Sequence, residues 1–197
     1  MRHFLAVLGI LALTACTSAF ANIGVKDHVN TVLSIDNNSC TATFIGPKLA
    51  LTAAHCVRDV AEPVDLTLYN GKTLIGRVYK KNEEADTALI TIDNVGEFPY
   101  NPLRCDKAPV QGELISMVGF PAGLPWMFTR GFVAGFADKY IILDIRGWFG
   151  SSGSAVLDAD GKIIGLVSVA VNDPSRGTYG IFVGAVSIQT ACKMING

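Results

Sequence analysis

Past about residue 28 the chain reads as short apolar runs rich in Val, Ile, Thr and Leu, each cut off by a turn signal. Asn70-Gly71 separates Asp65-Leu66-Thr67-Leu68-Tyr69 from Lys72-Thr73-Leu74-Ile75-Gly76. An Asn-Gly pair accepts the positive φ values of a tight turn, so the two runs predict one hairpin. Asp160-Gly161 does the same between Ala155-Val156-Leu157 and the run Lys162 to Val167. Gly46-Pro47 and Pro121-Ala122-Gly123 mark further turns, and a helical pattern is expected only from Ser187 to Asn196. Many short strands at this spacing predict an all-β chain, built as barrels or a sandwich.

The pattern weakens between residues 99 and 112, where Pro99, Pro102, Pro109 and Gly112 interrupt a stretch poor in strand formers. This seam predicts a first unit over residues 22–104, a linker over 105–112 and a second unit over 113–197. With 197 residues, 50% of them hydrophobic and 17% charged, the chain can bury a substantial core. A net charge of −1 gives no reason to expect nucleic acid or an anionic surface as partner.

The N-terminus reads as an export signal. Arg2 precedes an apolar run from Phe4 to Ala12, too short and too poorly flanked for a comfortable membrane span. Ala19-Phe20-Ala21 offers a cleavage site that would make residues 1–21 the signal peptide, leaving Asn22 first. Leu13-Thr14-Ala15-Cys16 offers the other reading, a lipobox that would put a lipid anchor on Cys16. Either way the protein is expected outside the cytoplasm, secreted or periplasmic. Beyond Cys16 remain Cys40, Cys56, Cys105 and Cys192, an even number that an exported chain can keep as two disulfides. There is no Cys-x-x-Cys pair and only three histidines, so neither a metal site nor a cofactor is expected.

The chemistry concentrates in three short strings. Gly150-Ser151-Ser152-Gly153-Ser154 presents a serine between glycines, where backbone N–H groups can approach a reacting carbonyl. Thr52-Ala53-Ala54-His55-Cys56 presents a histidine beside a cysteine, and Asp86 opens the apolar run Thr87-Ala88-Leu89-Ile90. A serine hydroxyl needs a base to remove its proton, and the base needs an acceptor to fix its tautomer. His3 lies in the signal and His28 near the mature N-terminus, which leaves His55 as the base. Asp86 would be the orienter, Ser152 the nucleophile, and the amides of Gly150 and Ser152 the oxyanion donors. His55 and Asp86 fall in the first unit and Ser152 in the second, a division that a site between two packed barrels would explain.

These strings resemble the histidine and nucleophile motifs of the chymotrypsin/trypsin-like serine peptidases. Gly119-Phe120-Pro121, Thr129-Arg130-Gly131 and Val183-Gly184-Ala185-Val186-Ser187 resemble segments of the bacterial branch that includes HtrA peptidases and glutamyl endopeptidases. The resemblance covers about residues 28 to 190. It implies two packed antiparallel β-barrels with a short C-terminal helix, and a serine endopeptidase acting on polypeptides through an acyl-enzyme. It also implies that Cys40 pairs with Cys56 and Cys105 with Cys192. No PDZ module follows the catalytic region, so a monomer is expected. The alternative is a latent, peptidase-like binding protein, although such proteins usually lose a triad residue and this chain keeps all three.

The departures shape further expectations. Ser151 stands where zymogen-type relatives carry an aspartate that pairs with a new N-terminus, so no activation by N-terminal insertion is expected. Arg146, six residues before Ser152, reads either as the floor of an acid-binding pocket or as a solvent-facing residue in a shifted loop. Val167, Val169 and Ala170 point to an apolar pocket, and Ser168 on the same strand either bonds Asp86 or is an ordinary strand serine. Trp126, Met127 and Phe128 are expected in the core.

Overall fold

Inward and outward side chains alternate along the predicted runs, and this turns them into strands of two closed barrels. The computed structural model describes residues 28–93, 96, 98–173 and 178–196; the expected export signal over residues 1–21 and Cys16 lie outside them. The first barrel holds β1 (Val32–Ile35), β2 (Cys40–Gly46), β3 (Leu49–Thr52), β4 (Pro63–Leu68), β5 (Thr73–Asn82) and β6 (Thr87–Thr91), closed in the order β1-β2-β3-β6-β5-β4. The second holds β7 (Leu114–Gly119), β8 (Met127–Ala137), β9 (Tyr140–Asp144), β10 (Ala155–Leu157), β11 (Ile163–Asp173) and β12 (Thr178–Ser187), closed in the order β10-β11-β12-β9-β8-β7. A helix, α1 (Gln189–Asn196), follows. Among the described residues no helix is long and apolar enough to cross a membrane.

Both expected hairpins form. β4 and β5 pair through Thr67↔Thr73 around a turn that places Gly71 at φ 80°. β10 pairs β11 through Ala155↔Leu166, and β11 then carries Ser168, Val169 and Ala170 on the same strand and runs on to Asp173. The helix begins at Gln189 rather than Ser187, because Ser187 still belongs to β12.

Burial follows the pleat. Val64, Leu66 and Leu68 of β4 turn inward to meet Leu33, Ile35, Phe44 and Ile90, while Pro63 and Asp65 face out. Ile115, Met117, Val133, Leu143, Ile164 and Val183 fill the second barrel. A third apolar cluster draws on both barrels and α1, with Leu51 and Leu89 against Leu166, Val186, Ile188 and Ala191. Trp126 and Phe128 pack against Val29, Val32, Val118 and Phe120 as expected, but Met127 is 41% exposed. Alternation along the start of β8 sends Met127 to the opposite side from Phe128.

Disulfides join Cys40 to Cys56 and Cys105 to Cys192. Beside the second bridge, the connection between barrels is held by charge. The buried Arg104 guanidinium forks onto the Glu113 carboxylate and donates to Asp158 Oδ2 at 3.0 Å. Hydrogen bonding from Arg104 holds the Glu113 carboxyl below its usual range. A lowered folded pKa means that this stabilisation is full at neutral pH and lost as pH falls through the Glu113 folded value. Arg104→Met leaves two carboxylates without their cation, so urea unfolding at pH 7 should show a loss on the order of 3 kcal/mol. The loss should shrink in acid, and parental stability at pH 7 would contradict the role given to this cluster.

Candidate active site

The site grows from the register of two neighbouring strands. β3 and β6 run antiparallel with Thr52 opposite Ala88, so the chain leaving β3 and the chain entering β6 meet at one end of the first barrel. His55 lies in the short 3₁₀ turn Ala54–Cys56 just past β3, between buried Ala54 and bridged Cys56. Asp86 closes the turn that leads into β6, with its amide on Glu83 O at 3.1 Å and φ at 45°. Aspartate tolerates this left-handed conformation better than most residues. Thus residues 31 apart become hydrogen-bonded neighbours: His55 Nδ1 lies 2.9 Å from Asp86 Oδ2, and the His55 amide donates to Asp86 Oδ1 at 3.0 Å.

A third donor reaches Asp86 from the other barrel. The β11–β12 register shifts between Val167 and Val169, leaving Ser168 without a cross-strand partner. Such a bulge re-aims its side chain, and Ser168 Oγ donates to Asp86 Oδ2 at 2.5 Å. Burial opposes ionisation of Asp86. The hydrogen bonds from the His55 ring, Ser168 and the His55 amide outweigh it and hold the carboxyl at about 2. In return, the hydrogen bond to Asp86 raises the His55 pKa above its usual 6.5, against the opposing effect of burial. The imidazole side chain is about half exposed, so its other nitrogen can face the cleft.

The loop carrying Ser152 comes from the second barrel and docks on β2 of the first. Thr41 donates its amide to Ser152 O at 2.8 Å and its hydroxyl to Gly150 O at 2.9 Å. Its own carbonyl accepts from Thr52 Oγ1 at 2.7 Å, which ties the same residue to the end of β3. Thr41 is fully buried and neighbours the disulfide that flanks His55. Nothing in its residue type marked it in the sequence. Within the loop, the amides of Ser151, Gly153 and Ser154 bond Trp148 O, Val167 O and Ser151 O. Those of Gly150 and Ser152 have no backbone acceptor among the described residues. Ser151 is buried, and its hydroxyl accepts from the Trp148 amide at 3.2 Å. That local turn fills a position where an aspartate would need a buried cation.

His55, Gly150 and Ser152 line one cleft of about 450 Å³ between the barrels. Val167, Ser168, Val169 and Ala170 line it too, joined by Trp148 and Phe149, and by Val183 on β12, which the sequence reading did not single out. Arg146 does not: it is exposed and absent from the cleft wall. The acid-binding reading of Arg146 is therefore without geometric support. Ligand-type atoms of Cys40, His55 and Cys56 lie within 4.8 Å of one another. Both sulfurs belong to the disulfide and offer no thiolate to a metal.

Comparison with known proteins agrees with this geometry. Residues 40–166 match the family model described as a trypsin-like peptidase domain. The chain is 34% identical over 142 residues to the putative serine protease HhoA of Synechocystis, covering 66% of this chain and 36% of that protein. It is 29% identical over 154 residues to a probable periplasmic serine protease do/HhoA-like of Haemophilus influenzae, covering 72% and 32%. It is 20% identical over 156 residues to serine endoprotease DegS of Escherichia coli, covering 74% and 44%. The chain thus spans about a third to under half of the length of these relatives.

The hydrogen bond between His55 and Asp86 is open to direct measurement. Titration of the His55 ring by NMR should give a midpoint above 6.5. Asp86→Asn should bring it down, because an amide cannot stabilise the imidazolium as a carboxylate does. An unchanged midpoint in the variant would show that Asp86 does not act on the ring.

Proposed function

Because the chain belongs to the trypsin-like peptidase family, we propose that it is an extracytoplasmic serine endopeptidase with His55, Asp86 and Ser152 as its triad. One observation carries this reading. His55 of one barrel, backed by the Asp86 carboxylate, and Ser152 of the other line the same cleft. With Asp86 accepting the Nδ1 proton, His55 presents Nε2 as the base. Ser152 Oγ attacks the peptide carbonyl as its proton passes to Nε2. The carbonyl oxygen gains the negative charge, and the amides of Gly150 and Ser152 accommodate it. Collapse breaks the C–N bond, the imidazolium protonates the leaving amine, and an acyl-enzyme remains. Water, deprotonated by His55, then releases the acid and restores the serine.

The cleft also supports a substrate class. Val167, Val169 and Val183 make its wall apolar, and among the described residues His55 is the one ionisable side chain that lines it. This favours small or medium aliphatic residues before the scissile bond. Past Val167, whose amide and carbonyl bond Ser154 O and the Gly153 amide, β11 has no strand partner among the described residues on the side that β10 covers earlier, so an extended polypeptide can pair with the backbone near Val169 and Ala170 as an added strand. Export is supported by the signal-like N-terminus and by two disulfides, which persist in oxidising compartments. The alternatives for its processing are Ala19-Phe20-Ala21 and the lipobox cysteine Cys16.

The test is labelling by a fluorophosphonate probe together with cleavage of an unfolded protein. Both should occur in the wild type and vanish in Ser152→Ala, a loss on the order of 10⁶ in rate. Absence of labelling in the folded, disulfide-bonded protein would refute the reading. kcat/KM should rise with pH to a plateau above the His55 midpoint, because the base must be neutral, and Asp86 stays ionised down to about pH 2.

A further inference from the structure

We infer that the turn Pro121–Gly123, held in place by Asn38, sets the oxyanion-binding conformation of the loop before Ser152, with Asn38 as a positioning residue. This rests on reading Gly150 as an oxyanion donor. The Ala122 amide donates to Phe149 O at 2.7 Å. No described peptide bond is cis, and in a trans peptide the carbonyl and the following N–H point in opposite directions. Anchoring Phe149 O on the turn therefore fixes the Gly150 N–H on the far side, away from it. The Phe149 side chain cannot supply that anchorage. It is 78% exposed and meets Trp148 edge-on, with ring centroids 5.6 Å apart. The backbone carbonyl is what is held.

The turn needs support of its own. Ala122 sits at φ 55°, a left-handed conformation unfavourable for a residue with a Cβ. Such strain persists only where neighbouring contacts impose it. Asn38 provides one, donating Nδ2 to Gly123 O at 3.2 Å. Asn38 also sits at φ 70°, and its amide is fixed on Ser34 Oγ at 2.8 Å, so β1 anchors it. The same residue abuts the loop directly. A Cβ on Gly150, itself at φ 95°, would stand 2.9 Å from Asn38 O and 2.1 Å from Phe120 O. A single asparagine thus contacts both the turn and the loop that the turn orients. It does so in a chain whose Ser151 cannot order that loop through an ion pair.

Asn38→Gly keeps a left-handed backbone accessible and removes the side-chain donor; Asn38→Asp keeps the size and replaces the donor with a carboxylate. Amide hydrogen exchange at Ala122, read by NMR, and steady-state kinetics on an aliphatic peptide substrate test both variants. Exchange at Ala122 should quicken at least tenfold, with kcat down at least fivefold and KM within twofold of wild type. Unchanged exchange at Ala122, unchanged kcat, or a change confined to KM overturns the inference. A wild type without turnover would sink the peptidase reading instead, and Ala122 exchange would still decide whether Asn38 holds the turn.

Discussion

The site depends on one buried residue, Thr41, which bonds to both halves of the chemistry. Its amide and hydroxyl hold the carbonyls of Ser152 and Gly150, and its carbonyl is held by Thr52 at the end of the strand that leads to His55. Each of these bonds is modest, about 1 kcal/mol net. Their importance lies in geometry: three bonds on one residue fix a loop of the second barrel relative to a turn of the first. Gly153 completes the fit, because a Cβ there would stand 2.1 Å from Thr41 O. The second glycine of the nucleophile string is thus demanded by the docking of the barrels as well as by its φ of 80°.

Asp86 shows the same division of labour. The first barrel supplies the carboxylate and two donors from His55, and the second supplies the Ser168 hydroxyl. An anion in a half-buried site would otherwise take up a proton. With three donors it stays ionised to about pH 2, which lets it stabilise an imidazolium throughout the working range of a histidine. A β-bulge at Ser168 makes this reach possible. The strand that could offer its backbone to a polypeptide therefore also fixes the carboxylate.

Much of this was legible in the sequence because the relevant signals are local. Asn70-Gly71 and Asp160-Gly161 specify turns by their own chemistry, and the runs beside them alternate as strands must. Thr52 to Cys56 is a specific string, and Gly150 to Ser154, by itself as readily a loop, gains its meaning from standing after it and Asp86 in the chain. What escaped was set by distant partners. Thr41 is an ordinary strand threonine until Gly150 and Ser152 arrive from 109 residues or more away. For Ser168 the sequence left two readings open, a bond to Asp86 or an ordinary strand serine; the bond is made at a bulge, which a run of apolar residues does not announce. Counting back from Ser152 left Arg146 either at a pocket floor or facing solvent, because counting cannot show which side of the chain faces the cleft; its exposure and its absence from the cleft wall go with the solvent-facing reading.

Ser151 brings these points together. In a loop ordered by an ion pair, conformation depends on a charge that can be made or removed. Here the same position is closed by a serine hydroxyl on the Trp148 amide, and the neighbouring carbonyls rest on Thr41 and Ala122. None of these bonds contains a titrating group, so between acid and neutral pH the loop has no reason to change shape. The pH response of the cleft then belongs to the His55–Asp86 pair, and Asp86 titrates too low to take part near neutrality. A site of this construction responds to proton concentration through His55 alone, while the geometry of its Gly150 and Ser152 amides is fixed by uncharged contacts across the barrel interface.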